Sequence, residues 1–184
     1  MMEYYTLEEA IQYYNKIEKP DLTLDELILL VLGLVADKPI NGRAVLHKEI
    51  FLIYKELSDN AKVKIVDPRF VKYRYGAFSF YIALSLEYLE EDGFITVTNK
   101  HSLRNARYML TDKGRRWSNK IINELERRLG KDYIINNLRM LRIGLDQLGH
   151  EGIIRYVREN YPEYYDRNAR KRDYVDMDWG VLVG

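Results

Sequence analysis

Apolar residues recur at helical spacing through most of the chain and at strand spacing in two short stretches. Thr6-Leu7-Glu8-Glu9 has the spacing of a capping box, and Leu7, Ile11 and Tyr14 follow at helical intervals until Pro20 closes the segment. Thr23-Leu24-Asp25-Glu26 repeats the signal and opens a second helix through about Ala36. This helix is apolar nearly all round, so it is expected at the centre of the fold. Lys38-Pro39 and Asn41-Gly42 mark a turn. A third helix runs from about Arg43 to Leu57 on the stripe Leu46, Ile50, Ile53, Leu57, and Ser58-Asp59-Asn60 ends it. A basic, β-rich connector follows from Lys62 to Gly76. It is interrupted by Pro68, and its alternating Lys72-Tyr73-Arg74 predicts a short strand.

Ser79 can cap a fourth helix reaching Asp92, with Phe78, Ile82, Leu86 and Leu89 as its buried stripe and Gly93 as its stop. Phe94 to Thr98 and Ala106 to Leu110 then read as the two strands of a hairpin with a polar, basic tip, Asn99 to Asn105. Thr111 caps a fifth helix, which runs to Leu129 before Gly130. Helical periodicity resumes from Tyr133 to about Leu148 on Ile134, Leu138, Leu141 and Leu145. A short helix covers Ile153 to Asn160, and Pro162 stops it. The division expected is an N-terminal helix (1–22), a central domain (23–129), a helical extension (130–165) and a basic tail (166–184).

The order helix, helix, connector, helix, hairpin, helix is that of a winged helix-turn-helix. The fold class expected is therefore mainly α: a winged helix-turn-helix core with a small β-hairpin wing and additional N- and C-terminal helices. In such a core the helix from Ser79 to Asp92 would present its N-terminal end to a major groove.

Particular residues carry a resemblance as well. They begin with Gly42-Arg43-x-x-Leu46-x-Lys48-x-x-Phe51-Leu52 and continue with Tyr75-Gly76-x-Phe78-Ser79. Ile82, Leu86, Leu89 and Gly93-Phe94-Ile95 come next, and Tyr108-x-Leu110-Thr111-x-x-Gly114 closes the series. Over about Leu24 to Leu129 this pattern resembles the uncharacterised YwgA-like winged-helix proteins. It is more distantly similar to the Panacea antitoxin-associated domain, and its wing ending is similar to those of PadR-like and MarR-like regulators. Ala77 stands where the YwgA-like pattern often has proline.

Composition narrows the function classes. The 184 residues include no cysteine, which excludes a disulfide scaffold, a cysteine nucleophile and cysteine-rich zinc sites. Hydrophobic residues at 47% and charged residues at 31% fit a globular protein. The longest apolar run, Leu27 to Ala36, is far short of the ~20 residues that span a membrane. No membrane association and no signal peptide are expected, and the cytoplasm is the expected location. Sixteen tyrosines, two glutamines and the absence of cysteine lean toward a heat-adapted source.

The net charge of +1 hides a segregation: Lys62 to Tyr75 carries +4, Phe94 to Lys120 carries +6, and the remainder is acidic. Both basic blocks fall on the elements that would flank a groove-inserting helix. The candidate phosphate contacts are Lys72 and Arg74 before that helix, Lys100, Arg104 and Arg107 on the wing, and Arg115 and Arg116 beyond it. Ser79, Phe80 and Tyr81 are the candidate base contacts, because the acids Glu87, Glu90, Glu91 and Asp92 occupy the other half of the helix. There is no G-x-G-x-x-G, P-loop or G-x-S-x-G, and His47, His101 and His150 stand isolated, so no catalytic residue, metal ligand or cofactor is expected. The functional expectation is a transcriptional regulator or architectural factor that binds duplex DNA through the wing and the fourth helix. The alternative is a winged-helix protein-interaction module that does not read DNA. The apolar stripe after Gly130 has no obligatory place in such a core, so a homodimer through those helices is also expected.

Overall fold

The computed structural model describes residues 19–35, 37–130 and 132–169. The first predicted helix, with Leu7, Ile11 and Tyr14, and the tail from 170 onward lie outside the described residues. Leu24–Gly33 forms α1, capped as predicted. The Glu26 N–H donates to Thr23 Oγ1 at 3.2 Å, and the Thr23 N–H donates back to the Glu26 carboxylate at 2.8 Å. Every residue from Leu27 to Leu32 is buried, so α1 is the central helix that its uniform apolar sequence requires. Around it pack α2 (Arg43–Lys55), α3 (Phe80–Glu91) and α4 (Asp112–Leu129). A π-helical turn over Glu56–Asn60 ends α2.

Three antiparallel strands complete the core: β1 (Ile40–Asn41), β2 (Ile95–Thr98) and β3 (Arg107–Leu110), in the order β1-β3-β2. The β2–β3 hairpin forms as predicted, with Ile95 opposite Leu110 and Thr98 opposite Arg107. β1 corrects the reading of residues 38–42 as a turn alone: Ile40 lies opposite Tyr108 and is fully buried, so it forms a strand of the shortest kind.

Thr111 caps α4 by accepting from the Gly114 N–H at 3.1 Å, and its hydroxyl donates to the Gly93 carbonyl at 2.7 Å. The glycine that closes the Tyr108-x-Leu110-Thr111-x-x-Gly114 motif has a steric reason. A Cβ on Gly114 would lie 2.0 Å from the Phe94 carbonyl oxygen, so α4 can start against β2 only without a side chain there.

α5 spans Asp132–Asn160, with a non-helical backbone at Gly149 (φ 63°, ψ −175°) that divides it into two helices. The second resumes at once rather than at Ile153. Three further expectations change. Lys72-Tyr73-Arg74 is not a strand: Tyr73 makes a single bridge to Tyr165, and the Gly76 N–H donates to the Tyr73 carbonyl at 2.9 Å, turning the chain before a ladder can extend. The buried stripe of α5 is Ile135, Leu138, Arg142 and Leu145, while Ile134 and Leu141 are only half-buried. Above all, this stripe packs against α2 of the same chain, so it needs no second copy to cover it and does not call for the expected dimer. Among the described residues no helix is long and apolar enough to cross a membrane.

Candidate nucleic-acid interface

The register of β3 divides the second basic block. Arg107 pairs with Asn41 and Thr98 at the hairpin-loop end of the sheet, whereas Leu110 and the start of α4 lie at the opposite end. Lys100, Arg104 and Arg107 are thus separated from Arg115 and Arg116. Most of these cations already have carboxylate partners: Lys100 with Glu90 (2.6 Å), Arg104 with Glu151 (3.1 Å), and Arg115 with Asp37 (3.1 Å) and Asp112 (2.6 Å). Arg107 and Arg116 are exposed.

The polar, basic tip Asn99 to Asn105 is largely exposed, and the loop is anchored to the start of α2. The Gly42 N–H donates to the Ala106 carbonyl at 2.7 Å, and the Arg43 N–H to the Leu103 carbonyl at 2.8 Å. Gly42, at φ +93°, makes this seat possible, because a Cβ there would lie 2.9 Å from the Arg104 carbonyl oxygen. Of the predicted base contacts, Ser79 is corrected to a structural cap. It is fully buried, and its hydroxyl accepts from the Ile82 N–H at 3.1 Å while donating to the Pro68 carbonyl. Tyr81 is half-buried, and its hydroxyl accepts from Arg69 at 3.1 Å. Phe80 meets Phe78 edge-on, with ring centroids 4.9 Å apart.

Phe80 and Arg104 meet in a cavity of about 470 Å³ that the linear sequence did not announce. Its walls come from four places: the start of α2 (Arg43, Ala44, Lys48), the segment Tyr73, Tyr75, Phe78, Phe80, the loop Leu103-Arg104, and the second half of α5 (His150, Glu151, Ile154, Arg158). Arg43 lies over the Phe78 ring at 5.3 Å. A second hollow shares Tyr75 and Arg158 and adds Arg74, Tyr165, Arg167 and Asn168. Arg158 lies over Tyr165 at 4.3 Å, and Arg74 over Tyr75 at 5.6 Å. One face therefore joins Arg74 of the first basic block and Arg104 of the second to Arg43, Arg158 and Arg167, with aromatic rings between them.

Beneath this face three consecutive α2 side chains are buried: His47, Lys48 and Glu49. His47 stacks on Phe78 with centroids 4.2 Å apart, and its Nδ1 accepts from the Ser79 N–H at 3.4 Å. Burial, with Lys48 and Arg43 nearby, holds its pKa well below the usual range, so the imidazole is neutral. Lys48 donates to the Ala77 carbonyl at 2.9 Å and the Gly76 carbonyl at 3.3 Å, and burial brings its pKa down to about 7.

Glu49 faces α5. Its Oε2 lies 2.7 Å from Arg142 Nε, Arg142 also contacts Asp146, and Asp146 reaches Lys38 at 3.0 Å. The facing Glu49, Arg142 and Asp146 atoms make no hydrogen bond, and their contacts are ion pairs by distance. Burial pushes the Glu49 carboxyl up to about 8, against the opposing pull of Arg142. The sequence signal for this network was Arg142 and Asp146, four residues apart, with Arg142 lying on the same helix face as Leu138 and Leu145. Comparison with family models, curated proteins and solved structures returns no match.

Proposed function

We propose that the core is a winged helix-turn-helix and that the protein binds duplex DNA through the cationic, aromatic face around Arg43, Arg74, Arg158 and Arg167. The element order α1-β1-α2-α3-β2-β3 and the sheet order β1-β3-β2 support the fold reading, with the hairpin as the wing. The observation that carries the function is the convergence of these four arginines on two adjoining hollows lined with aromatic rings. The reading moves the contact surface away from Lys100, Arg115 and Arg116 and keeps Arg74. Lys72 lies two residues away on the same segment, and the exposed Arg107 lies at the hairpin-loop end beside Arg104. Phosphate contacts of this kind give affinity and register without base choice, so the binding expected is weakly sequence-dependent.

Fluorescence anisotropy with a labelled duplex tests it. Four neutralised phosphates predict that log K falls with log salt at a slope of about −3.5. Arg74→Ala with Arg158→Ala weakens binding on every sequence and reduces the slope by about 2, whereas Arg115→Ala with Arg116→Ala leaves it unchanged. No binding at low salt, or equal losses in the two double variants, overturns the reading.

A further inference from the structure

The cavity between α2, the 73–80 segment and the second half of α5 has the chemistry of a pocket for one small ligand, whether or not the surrounding face binds a duplex. Its volume of about 470 Å³ lies within the range of small-molecule sites. Its apolar walls are the rings of Tyr73, Tyr75, Phe78 and Phe80 together with Leu103 and Ile154. Phe78 is held from behind by His47 and edge-on by Phe80, so part of the wall is rigid. A flat aromatic group can stack against such a surface.

The polar side of the cavity is cationic. Arg43, Arg104, Arg158 and the buried Lys48 line it, against a single carboxylate among the described residues, Glu151. That carboxylate contacts Arg104 at 3.1 Å, occupying the place an anionic ligand would take. His150 Nδ1 is buried in the same wall with no hydrogen-bond partner among the described residues, although a buried ring nitrogen ordinarily has one. Forked guanidinium donors beside aromatic planes match phosphate attached to a heterocyclic base.

We propose that this cavity binds a base-plus-phosphate unit, with the base among the Tyr75, Phe78 and Phe80 rings and the phosphate on Arg43, Arg104 and Arg158 in place of Glu151. The unit is either a free nucleoside monophosphate or the phosphorylated terminal nucleotide of a strand.

Calorimetric titration with AMP, adenosine and ribose 5-phosphate at low salt tests the pocket. AMP should bind at least about tenfold tighter than either fragment, because only AMP engages both walls. Arg104→Ala and Tyr75→Ala should each weaken AMP about tenfold. Both side chains are exposed, so the variants should melt like the parent; if Tyr75→Ala does not, Arg158→Ala carries the same test. Glu151→Gln, which releases Arg104, should tighten AMP severalfold and leave adenosine unchanged. AMP no tighter than ribose 5-phosphate, or AMP binding undiminished in Arg104→Ala, overturns the proposal.

Competition then identifies the source. A closed duplex on the face proposed above would itself cover Arg43 and Arg158, so the comparison is relative: a 5′-phosphorylated overhang that displaces AMP at least about tenfold better than the same duplex closed at both ends by hairpin loops assigns the pocket to strand ends. Displacement by the overhang no better than by the closed duplex, or by neither, assigns it to the free nucleotide. Binding of the closed duplex in itself reports only on the face proposed above, so the two readings can fail separately.

Discussion

Arg142→Met is the most informative stability test, because Arg142 is the one cation between two carboxylates at the α2–α5 contact. The side chain is 1% exposed and Glu49 is fully buried, while Asp146 keeps Lys38 at 3.0 Å when Arg142 is removed. The substitution preserves much of the apolar volume, so what it removes is charge. Above pH 8, where Glu49 is ionised in the parent, breaking this buried pair from one side costs about 3–5 kcal/mol, because the remaining charge has no compensation. With an urea m-value of roughly 2 kcal/mol/M, the unfolding midpoint should fall by about 1.5–2.5 M.

The cost should also depend on pH. The Glu49 carboxyl stands at about 8 with Arg142 present and must rise further without it. Above pH 8 the parent's folded state therefore binds fewer protons than the variant's. The parent-minus-variant stability difference then grows with pH by up to about 1.4 kcal/mol per unit. Urea melts at pH 7 and pH 9 read both effects. The double variant Glu49→Leu, Arg142→Met removes both charges and should return to within about 1 kcal/mol of the parent, or exceed it. A cost below about 1 kcal/mol at pH 9, a cost that shrinks as pH rises, or a double variant as unstable as the sum of the single ones would refute the argument that charge holds α5 on α2.

His47 predicts an acid-side effect. Its folded pKa is depressed, so the stability it contributes is present above its unfolded value of 6.5 and is lost as pH falls toward the folded one. Between pH 7.5 and pH 5 the stability of the parent should drop relative to that of His47→Gln by up to about 2 kcal/mol. Glu49 acts in the opposite sense, its contribution being lost as pH rises through about 8, and the subtraction cancels it. A parent-minus-variant difference that is flat with pH would mean His47 titrates normally. Glycine replacements give a matched pair. Gly114→Ala should destabilise, because overpacking against the Phe94 carbonyl costs about 1–3 kcal/mol or more and exceeds the ~1 kcal/mol gain in helix propensity. Gly144→Ala, in the interior of α5 with nothing within 4 Å, should raise the melting temperature through that same gain.

The elements were legible wherever a local signal decided them. The caps at Thr23, Ser79 and Thr111 each form the hydrogen bond that their side chains imply; of the stripe Phe78, Ile82, Leu86, Leu89 the last three are buried as spaced, while Phe78 precedes the helix and is half-buried. β1 was not legible, because two residues are too few for alternation to show and Ile40 is defined only by its partner Tyr108, which lies 68 positions along the chain. Lys72-Tyr73-Arg74 alternates like a strand, yet alternation supplies no neighbour, and the turn at Gly76 removes the length a ladder needs.

The charged residues divide along the same line. Reading Lys100, Arg104 and Arg115 as available cations counted them without the acids they would meet, and Glu90, Glu151 and Asp37 all come from other elements. The α2 stripe Leu46, Ile50, Ile53, Leu57 accounted for one face and left His47, Lys48 and Glu49 on the supposed solvent side. α5 covers that side, and a helix buried on both faces can carry polar residues on the second only if the covering helix supplies answers to them. Arg142 answers Glu49 directly. The carbonyls of Gly76 and Ala77 answer Lys48 where the chain turns toward α3. The cavity opens at the point where that covering is incomplete: past the break at Gly149, α5 presents His150, Glu151 and Arg158 toward Arg43 and Lys48 without closing on them. The same extra helix that removes the need for a second copy of the chain thus builds one wall of the site.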